Sequence, residues 1–278
     1  MPVCLLVARI ARVPLVYPVA PQHKLPLLLP LYLLAPAAVE VHRRLTASTW
    51  SAYGIAWDWP FARAAAAGFG VAAGGVALLV ALQVGLGWRR WQPTGQVLTP
   101  KGAGFSPTGQ AKGSIDDQLI SAPSPGVVLL AVLPLALFVG WIEELVFRGV
   151  LVNGLVQALP VGLTAIREAI PVGIAVCLIF AVSHLLWDGP AGAPQLPGLA
   201  IMGAVLLLAR WAADGSLGLA WGLHAGWVFA IAAIDALALL KPGKDGPVWL
   251  VGLPDQPLTG VLPLGLLVLT GLGVWALG

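Results

Sequence analysis

Long apolar stretches separated by polar or glycine- and proline-rich connections make up most of the chain. The clearest stretch, 61–86, exceeds the roughly 20 residues that a helix needs to cross a bilayer core. It ends at a Trp-Arg-Arg-Trp sequence typical of a membrane interface. The other predicted spans are 126–159, 170–187, 198–213, 217–240, 258–277 and a proline-containing run at 25–39 that is either a distorted span or an interfacial segment. The pattern predicts an all-α, polytopic integral membrane bundle of about seven helices.

Two connections organise this pattern into regions. The segment 40–60 is polar and contains tryptophan, which predicts a solvent loop at the level of the lipid headgroups. The segment 92–124 is the longest polar stretch and is rich in Gly, Pro, Ser and Thr, which predicts a flexible loop. We therefore expect an N-terminal membrane region with its loop at 1–124, a membrane core at 125–240, and a loop with a C-terminal transmembrane helix at 241–278.

Composition supports the membrane assignment and narrows the possible partners. The 278-residue chain is 59% hydrophobic and 10% charged, whereas a soluble domain carries about 25% charged residues. This composition makes the lipid bilayer an expected partner. The net charge of +3 is small and dispersed, so nucleic acid is not an expected partner. Cys4 and Cys177 are isolated and predict neither a disulfide framework nor a cysteine metal site. The distribution of Lys and Arg over the predicted loops favours a cytoplasmic N-terminus.

One short polar stretch interrupts the apolar segment 126–159. It contains Glu143, Glu144 and Arg148. Because a charge at bilayer depth costs on the order of 2.5 to 3.5 kcal/mol, such residues indicate a functional site by default. On a helix, Glu144 and Arg148 are four residues apart and can pair. Glu143 points about 100° away from Glu144, so its carboxylate is free to face another helix or a water.

Two of the four histidines fall in predicted spans. His184 follows Phe180 by four residues, so the two rings can pack on one helix face. His224 lies in the next span but one, and Asp235 follows it on nearly the same helical face, where it has a supporting or a packing role. If 198–213 crosses the membrane fully, His184 lies near one face and His224 lies roughly 10 Å in from the other, so the two imidazoles would be at different depths.

These residues have both a structural and a catalytic interpretation. Glu144 and Arg148 can be a structural ion pair, and either histidine alone can be an interhelical hydrogen-bonding residue. Peptide hydrolysis inside a membrane, however, needs a base for water, a donor for the developing oxyanion and a polar cavity. Glu143, His184 and His224 can supply these groups from three separate helices.

At 143–148 the sequence has the pattern Glu-Glu-x-x-x-Arg, and at 180–184 the pattern Phe-x-x-x-His. In this order and membrane context, the chain resembles the CAAX protease and bacteriocin-processing family of intramembrane proteases, to which the type II CAAX prenyl endopeptidases belong. The resemblance covers roughly 126–240. It implies an intramembrane endopeptidase that acts on a peptide or protein substrate at the membrane.

The resemblance also implies a role for each motif residue. Glu143 is expected to be the general base that activates water, with Glu144 and Arg148 supporting it. His184 and His224 are expected to orient the water and stabilise the oxyanion. In the family the third motif usually continues to an asparagine four residues after its histidine, but here that position is Val228, which cannot donate a hydrogen bond.

Metal dependence and activity both have alternatives. Glu143, His184 and His224 have the ligand count of a catalytic zinc site, although the His-Glu-x-x-His signature is absent. The alternative function is a non-catalytic scaffold that binds a partner, which Val228 favours, or a polar-cored transporter. The absence of paired interrupted helices in two halves argues against a transporter.

Overall fold

The computed structural model describes residues 9, 17, 19, 21–92, 124–158, 165–243, 246–253 and 256–277. The helices are α1 (Pro21–Leu45), α2 (Trp59–Gly85), α3 (Pro125–Glu144), α4 (Val152–Ala158), α5 (Ala165–Ser183), α6 (Leu185–Asp188), α7 (Leu196–Ala212), α8 (Gly218–Ala236), α9 (Val248–Val251) and α10 (Val261–Leu277). A π-helical segment, Leu145–Leu151, joins α3 to α4, and 3₁₀ turns at Pro190–Gln195 and Pro257–Thr259 precede α7 and α10. Strands β1 (Arg89–Trp91) and β2 (Leu240–Pro242) pair antiparallel.

Within these described ranges, five helical segments are long and apolar enough to cross a membrane. They are Trp59–Gly85, Pro125–Ala158, Ile170–Asp188, Pro190–Ala212 and Gly218–Ala236. This confirms the predicted all-α membrane bundle but not the count of seven. The C-terminal helix is apolar but shorter, and α1, which contains three prolines, does not meet the criteria for a span.

Close packing of α2 against α8 holds the centre of the bundle together. Gly218, Gly222 and Gly226 form a stripe on α8 that faces the main chain of α2. A Cβ added at Gly218 would lie 2.7 Å from the carbonyl oxygen of Phe61, and one at Gly226 would lie 2.6 Å from that of Phe69. Such small-residue stripes are how membrane helices approach closely without a hydrophobic driving force.

The other side of α8 is packed as tightly. A Cβ at Gly140 of α3 would lie 3.0 Å from the main-chain nitrogen of Ala225. Behind α8, the aromatic and aliphatic side chains of Phe180, Leu206 and Leu223 form the buried core between α5, α7 and α8. Because α8 is fixed by α2 on one side and α3 on the other, the direction in which its histidine points is set by main-chain contacts.

The solvent loop predicted at 40–60 is shorter than expected, and although most of the segment is exposed, part of it is buried. Helix α1 continues to Leu45, and the following chain is folded onto the bundle, with Tyr53 1% and Ile55 3% exposed. Their side chains pack with Leu145 and Leu217. The burial is possible because the Tyr53 hydroxyl is paired with the His42 ring at 2.9 Å, so no polar atom of that side chain is left unsatisfied. Most of the loop predicted at 92–124, and Cys4, lie outside the described residues.

Candidate active site

The acidic motif lies where α3 passes into the π-helical segment. Glu144 ends α3, Arg148 lies in the π segment, and both side chains are fully buried. The Arg148 Nη1 donates to Glu144 Oε1 at 2.9 Å, so the pairing expected from the spacing is present. Its Nη2 donates to the carbonyl oxygen of Gly203 at 3.2 Å. A Cβ at Gly203 would lie 3.3 Å from that nitrogen, so a small residue on α7 makes room for the guanidinium.

A second buried arginine anchors the same segment, and the sequence analysis missed it. Arg210 of α7 is 8% exposed, and its Nη1 donates to the carbonyl oxygen of Arg148. Its remaining nitrogens donate to the carbonyl oxygens of Gly215 at 3.2 Å and Ala52 at 3.4 Å. The π segment, in which the regular hydrogen-bond ladder is interrupted, is thereby tied to α7. A cation inside a predicted span was the signal that could have identified Arg210.

His224 of α8 completes a buried network with the second glutamate. Its Nδ1 lies 2.7 Å from Glu144 Oε1. Because a carboxylate accepts, Nδ1 carries the hydrogen and donates it. Glu144 therefore accepts from both Arg148 and His224, which fixes the imidazole and turns its Nε2 toward Glu143. That Nε2 lies 3.6 Å from Glu143 Oε2, beyond hydrogen-bonding distance.

The two oxygens of Glu143 have different surroundings. The hydroxyl of Tyr32, on α1, donates to Oε1. The other oxygen, Oε2, is buried and has no hydrogen-bond partner within the described residues. Glu143 thus has one oxygen held by the protein and one available to a ligand. Tyr32 was missed because it lies 111 residues away in sequence on a helix with no polar motif.

His184 lies just beyond the end of α5. Its Nδ1 is 2.9 Å from the carbonyl oxygen of Phe180. Since a carbonyl oxygen accepts hydrogen bonds and cannot donate them, Nδ1 carries the hydrogen and Nε2 is free to face a ligand. The neighbouring hydroxyl of Ser183 is also bonded to that carbonyl, at 2.7 Å.

The ring of Phe180 joins the motifs. It is fully buried, with its centroid 4.9 Å from that of His184 and 5.9 Å from that of His224, both edge-to-face. The guanidinium carbon of Arg148 lies 4.3 Å from the ring centroid, a cation–π distance. Both imidazoles thus pack on one aromatic ring, so the depth difference expected from a full crossing by 198–213 does not separate them.

A single cavity of about 440 Å³ brings the candidate residues together. Glu143, His184 and His224 all contribute to its wall, and so do Val228 and Asp235. Most of the remaining wall is apolar. A volume of this size is in the range of small-ligand pockets. The cavity can therefore accommodate a peptide segment with apolar side chains next to the carboxylate and the two imidazoles.

The arrangement does not fit the predicted zinc ligand set. The described residues contain no group of three His, Cys, Asp or Glu side chains that could hold a metal ion. Glu143 Oε2 and His224 Nε2 lie 3.6 Å apart, but no third side chain of this kind among the described residues joins them as a ligand. The chemistry of the site therefore rests on Glu143 and the imidazoles themselves.

Comparison with models of known protein families gives a match over part of the chain. The family described as "Type II CAAX prenyl endopeptidase Rce1-like" matches residues 125–230. The matched segment runs from the start of α3 into α8 and contains all five predicted site residues. No curated protein and no solved structure matches the chain. The family resemblance predicted from the two motifs is confirmed.

Proposed function

We propose that this integral membrane protein, whose segment 125–230 matches the family described as "Type II CAAX prenyl endopeptidase Rce1-like", is an intramembrane endopeptidase in which Glu143 activates water. The observation that carries the proposal concerns Oε2 of Glu143 in the wall of the cavity, which has no hydrogen-bond partner among the described residues and lies 3.6 Å from His224 Nε2. A water about 2.8 Å from each of these two atoms donates one hydrogen to each. Its lone pairs then point into the cavity, toward a scissile carbonyl carbon.

The buried network supplies the orientation that this step requires. Arg148 donates to Glu144, and Glu144 holds the Nδ1–H of His224, so the lone pair of Nε2 is aimed at the water. His184, when protonated on both nitrogens, donates Nδ1–H to Phe180 and has Nε2–H left for the oxyanion. In this proposal, His184 donates the hydrogen bond to the oxyanion that Val228 cannot donate.

The proton balance follows from these positions. As the water oxygen bonds to the carbonyl carbon, Glu143 takes a proton from it and the carbonyl oxygen becomes the oxyanion. When the tetrahedral intermediate collapses, the carbon–nitrogen bond breaks and the protonated Glu143 gives its proton to the leaving amine. The products are a carboxylic acid, which passes its remaining proton to water or to the new amine and becomes a carboxylate, and that amine; Glu143 is ionised again.

The position of the site and the lining of the cavity suggest the substrate class. The catalytic residues lie on helices that can cross a membrane, and the cavity wall is mostly apolar. The resemblance to the CAAX protease family implies substrates cleaved near a C-terminus or beside a membrane-embedded segment, and we infer the same class for this protein. The cytoplasmic N-terminus stays a prediction from the charge distribution.

Val228 favours one alternative function. It lies in the cavity wall at the position where the family usually has asparagine, and its side chain cannot stabilise an oxyanion. A chain that has kept the cavity and lost hydrolysis would bind a peptide without cutting it. Binding without turnover is the outcome that this alternative predicts.

A cleavage screen separates the two functions. Purified protein in liposomes is incubated with membrane-anchored peptides in water enriched in oxygen-18, and the products are analysed by mass spectrometry. Hydrolysis gives fragments whose new carboxylate carries the heavy oxygen, and the Glu143→Gln variant, which also controls for contaminating proteases, gives none. The Ser183→Ala variant should cleave like the wild type. Peptides that bind and are recovered intact would overturn the proposal.

A further inference from the structure

Tyr32 contacts the proposed catalytic base from outside the matched segment. It lies on α1, which precedes residues 125–230 and is not among the helices that meet the criteria for a membrane span. Its hydroxyl donates to Oε1 of Glu143, and its side chain forms part of the cavity wall. We infer that Tyr32 is a positioning residue that fixes the carboxylate of Glu143 for water activation, an inference that rests on the proposed function.

The geometry of Glu143 explains why such a residue is needed. A glutamate carboxylate turns easily about its terminal torsion, because that torsion is broad. Among the described residues, His224 also lies close to it, but its Nε2 at 3.6 Å is too distant to hold the carboxylate directly. With Oε1 bonded to Tyr32, Oε2 stays on the side of His224 and of the cavity. Glu144, the other acid nearby, is committed to Arg148 and His224 and does not hold Glu143.

Independent contacts fix α1 in the position that this role requires. Leu27 is 1% exposed, so one face of α1 is buried. Lys24 forms an ion pair with Asp188 at 2.5 Å, which attaches the start of the helix to the chain just after His184. The Tyr17 hydroxyl donates to the carbonyl oxygen of Leu185 at 2.9 Å in the same region. The helix that carries Tyr32 is thus attached to the chain that carries His184.

The Tyr32→Phe variant removes the hydroxyl and keeps the ring. If Tyr32 positions Glu143, kcat falls by about 10-fold or more while KM stays within about twofold, because alignment is lost and the cavity is unchanged. Tyr53→Phe is the matched control. Tyr53 is also buried with a bonded hydroxyl, but its partner is His42, which is not in the wall of the catalytic cavity. Tyr53→Phe should leave kcat unchanged.

A variant pair tests whether Tyr32 acts through Glu143. The shorter side chain of Glu143→Asp withdraws the carboxylate from Tyr32, so adding Tyr32→Phe to it should reduce the residual kcat no further. A role of the Tyr32 hydroxyl that is independent of Glu143 predicts the opposite, namely that the two losses multiply. Wild-type kcat in Tyr32→Phe, or multiplying losses in the double variant, would overturn the inference.

A spectroscopic measurement separates this inference from the proposed function. The chain contains three tyrosines, so 3-fluorotyrosine labelling gives three fluorine resonances that Tyr→Phe variants assign. Glu143→Ala should shift the Tyr32 resonance and leave those of Tyr17 and Tyr53 in place. An unmoved Tyr32 resonance refutes the inference even in an active enzyme. If the Tyr32 resonance shifts but the wild-type protein cleaves no peptide, the proposed function is refuted and the Tyr32–Glu143 contact stands.

Discussion

The buried pair between Glu144 and Arg148 makes a sharp prediction about stability. Changing Arg148 to Met removes the guanidinium and keeps a long apolar side chain in the space. Glu144, which is fully buried, then keeps its contact with His224 and loses the charge that balances it. Removing one partner of a buried ion pair typically costs about 3 to 5 kcal/mol. The lost contact over the Phe180 ring adds to this cost.

A double variant distinguishes charge balance from shape. Adding Glu144→Gln to Arg148→Met removes both charges, and the amide oxygen of the glutamine can still accept from His224 Nδ1. Because replacing a whole buried pair by uncharged groups is often neutral, the double variant should recover to within about 1.5 kcal/mol of the wild type. It should therefore be more stable than the single variant, although it carries one more substitution.

Reversible unfolding in mixed micelles of detergent and dodecyl sulfate measures these differences for the wild type and the two variants. Two results would refute the reasoning. One is an Arg148→Met variant within about 1 kcal/mol of the wild type, which is the size expected for an exposed pair. The other is a double variant no more stable than the single one, which would mean that the guanidinium stabilises by its shape and contacts and not by its charge.

Three further predictions follow from the packing and from the cavity. Gly226→Leu should lower both the melting temperature and the cleavage rate, because its Cβ would meet the main chain of Phe69 at 2.6 Å and push α8 away; Gly74→Ala, whose Cβ meets nothing within 4 Å, is the control and should be neutral or slightly stabilising. His184→Ala should reduce kcat by about 10²-fold or more with the melting temperature nearly unchanged, since the ring is half-buried and bonded to one carbonyl; a large fall in the melting temperature together with kcat would contradict this. Treatment with phenanthroline should leave cleavage unchanged, because the described histidine and acidic side chains do not converge as a ligand group; loss of activity restored by zinc would show that they do converge when an ion binds.

The sequence predicted the features that depend on local spacing or on total apolar length. The membrane-spanning segments follow from hydropathy, and the pairing of Glu144 with Arg148 follows from their separation of four residues. The ring contact between Phe180 and His184 follows in the same way. These features need no knowledge of which helices are neighbours, and that is why they could be predicted.

The features that were missed depend on contacts between distant parts of the chain. Tyr32 lies in a segment with no polar motif, and Arg210 stands out only as a cation inside a predicted span. The role of each depends on which oxygen it reaches, a carboxylate oxygen for Tyr32 and a main-chain oxygen for Arg210. The burial of Tyr53 in a segment predicted as a solvent loop has the same origin, since it depends on pairing with His42 and on packing against the core. Polar composition alone predicts exposure, but a polar segment whose hydrogen bonds are made internally can be buried.

The central claim is that the free carboxylate oxygen of Glu143 activates the water that cleaves the peptide. The most direct test compares the cleavage rate and the unfolding of Glu143→Gln with those of the wild type in the same liposomes. A general base contributes about 10² to 10⁴-fold, so we expect a rate loss in that range or complete loss, with unfolding unchanged. A folded Glu143→Gln protein that cleaves at the wild-type rate would contradict the account.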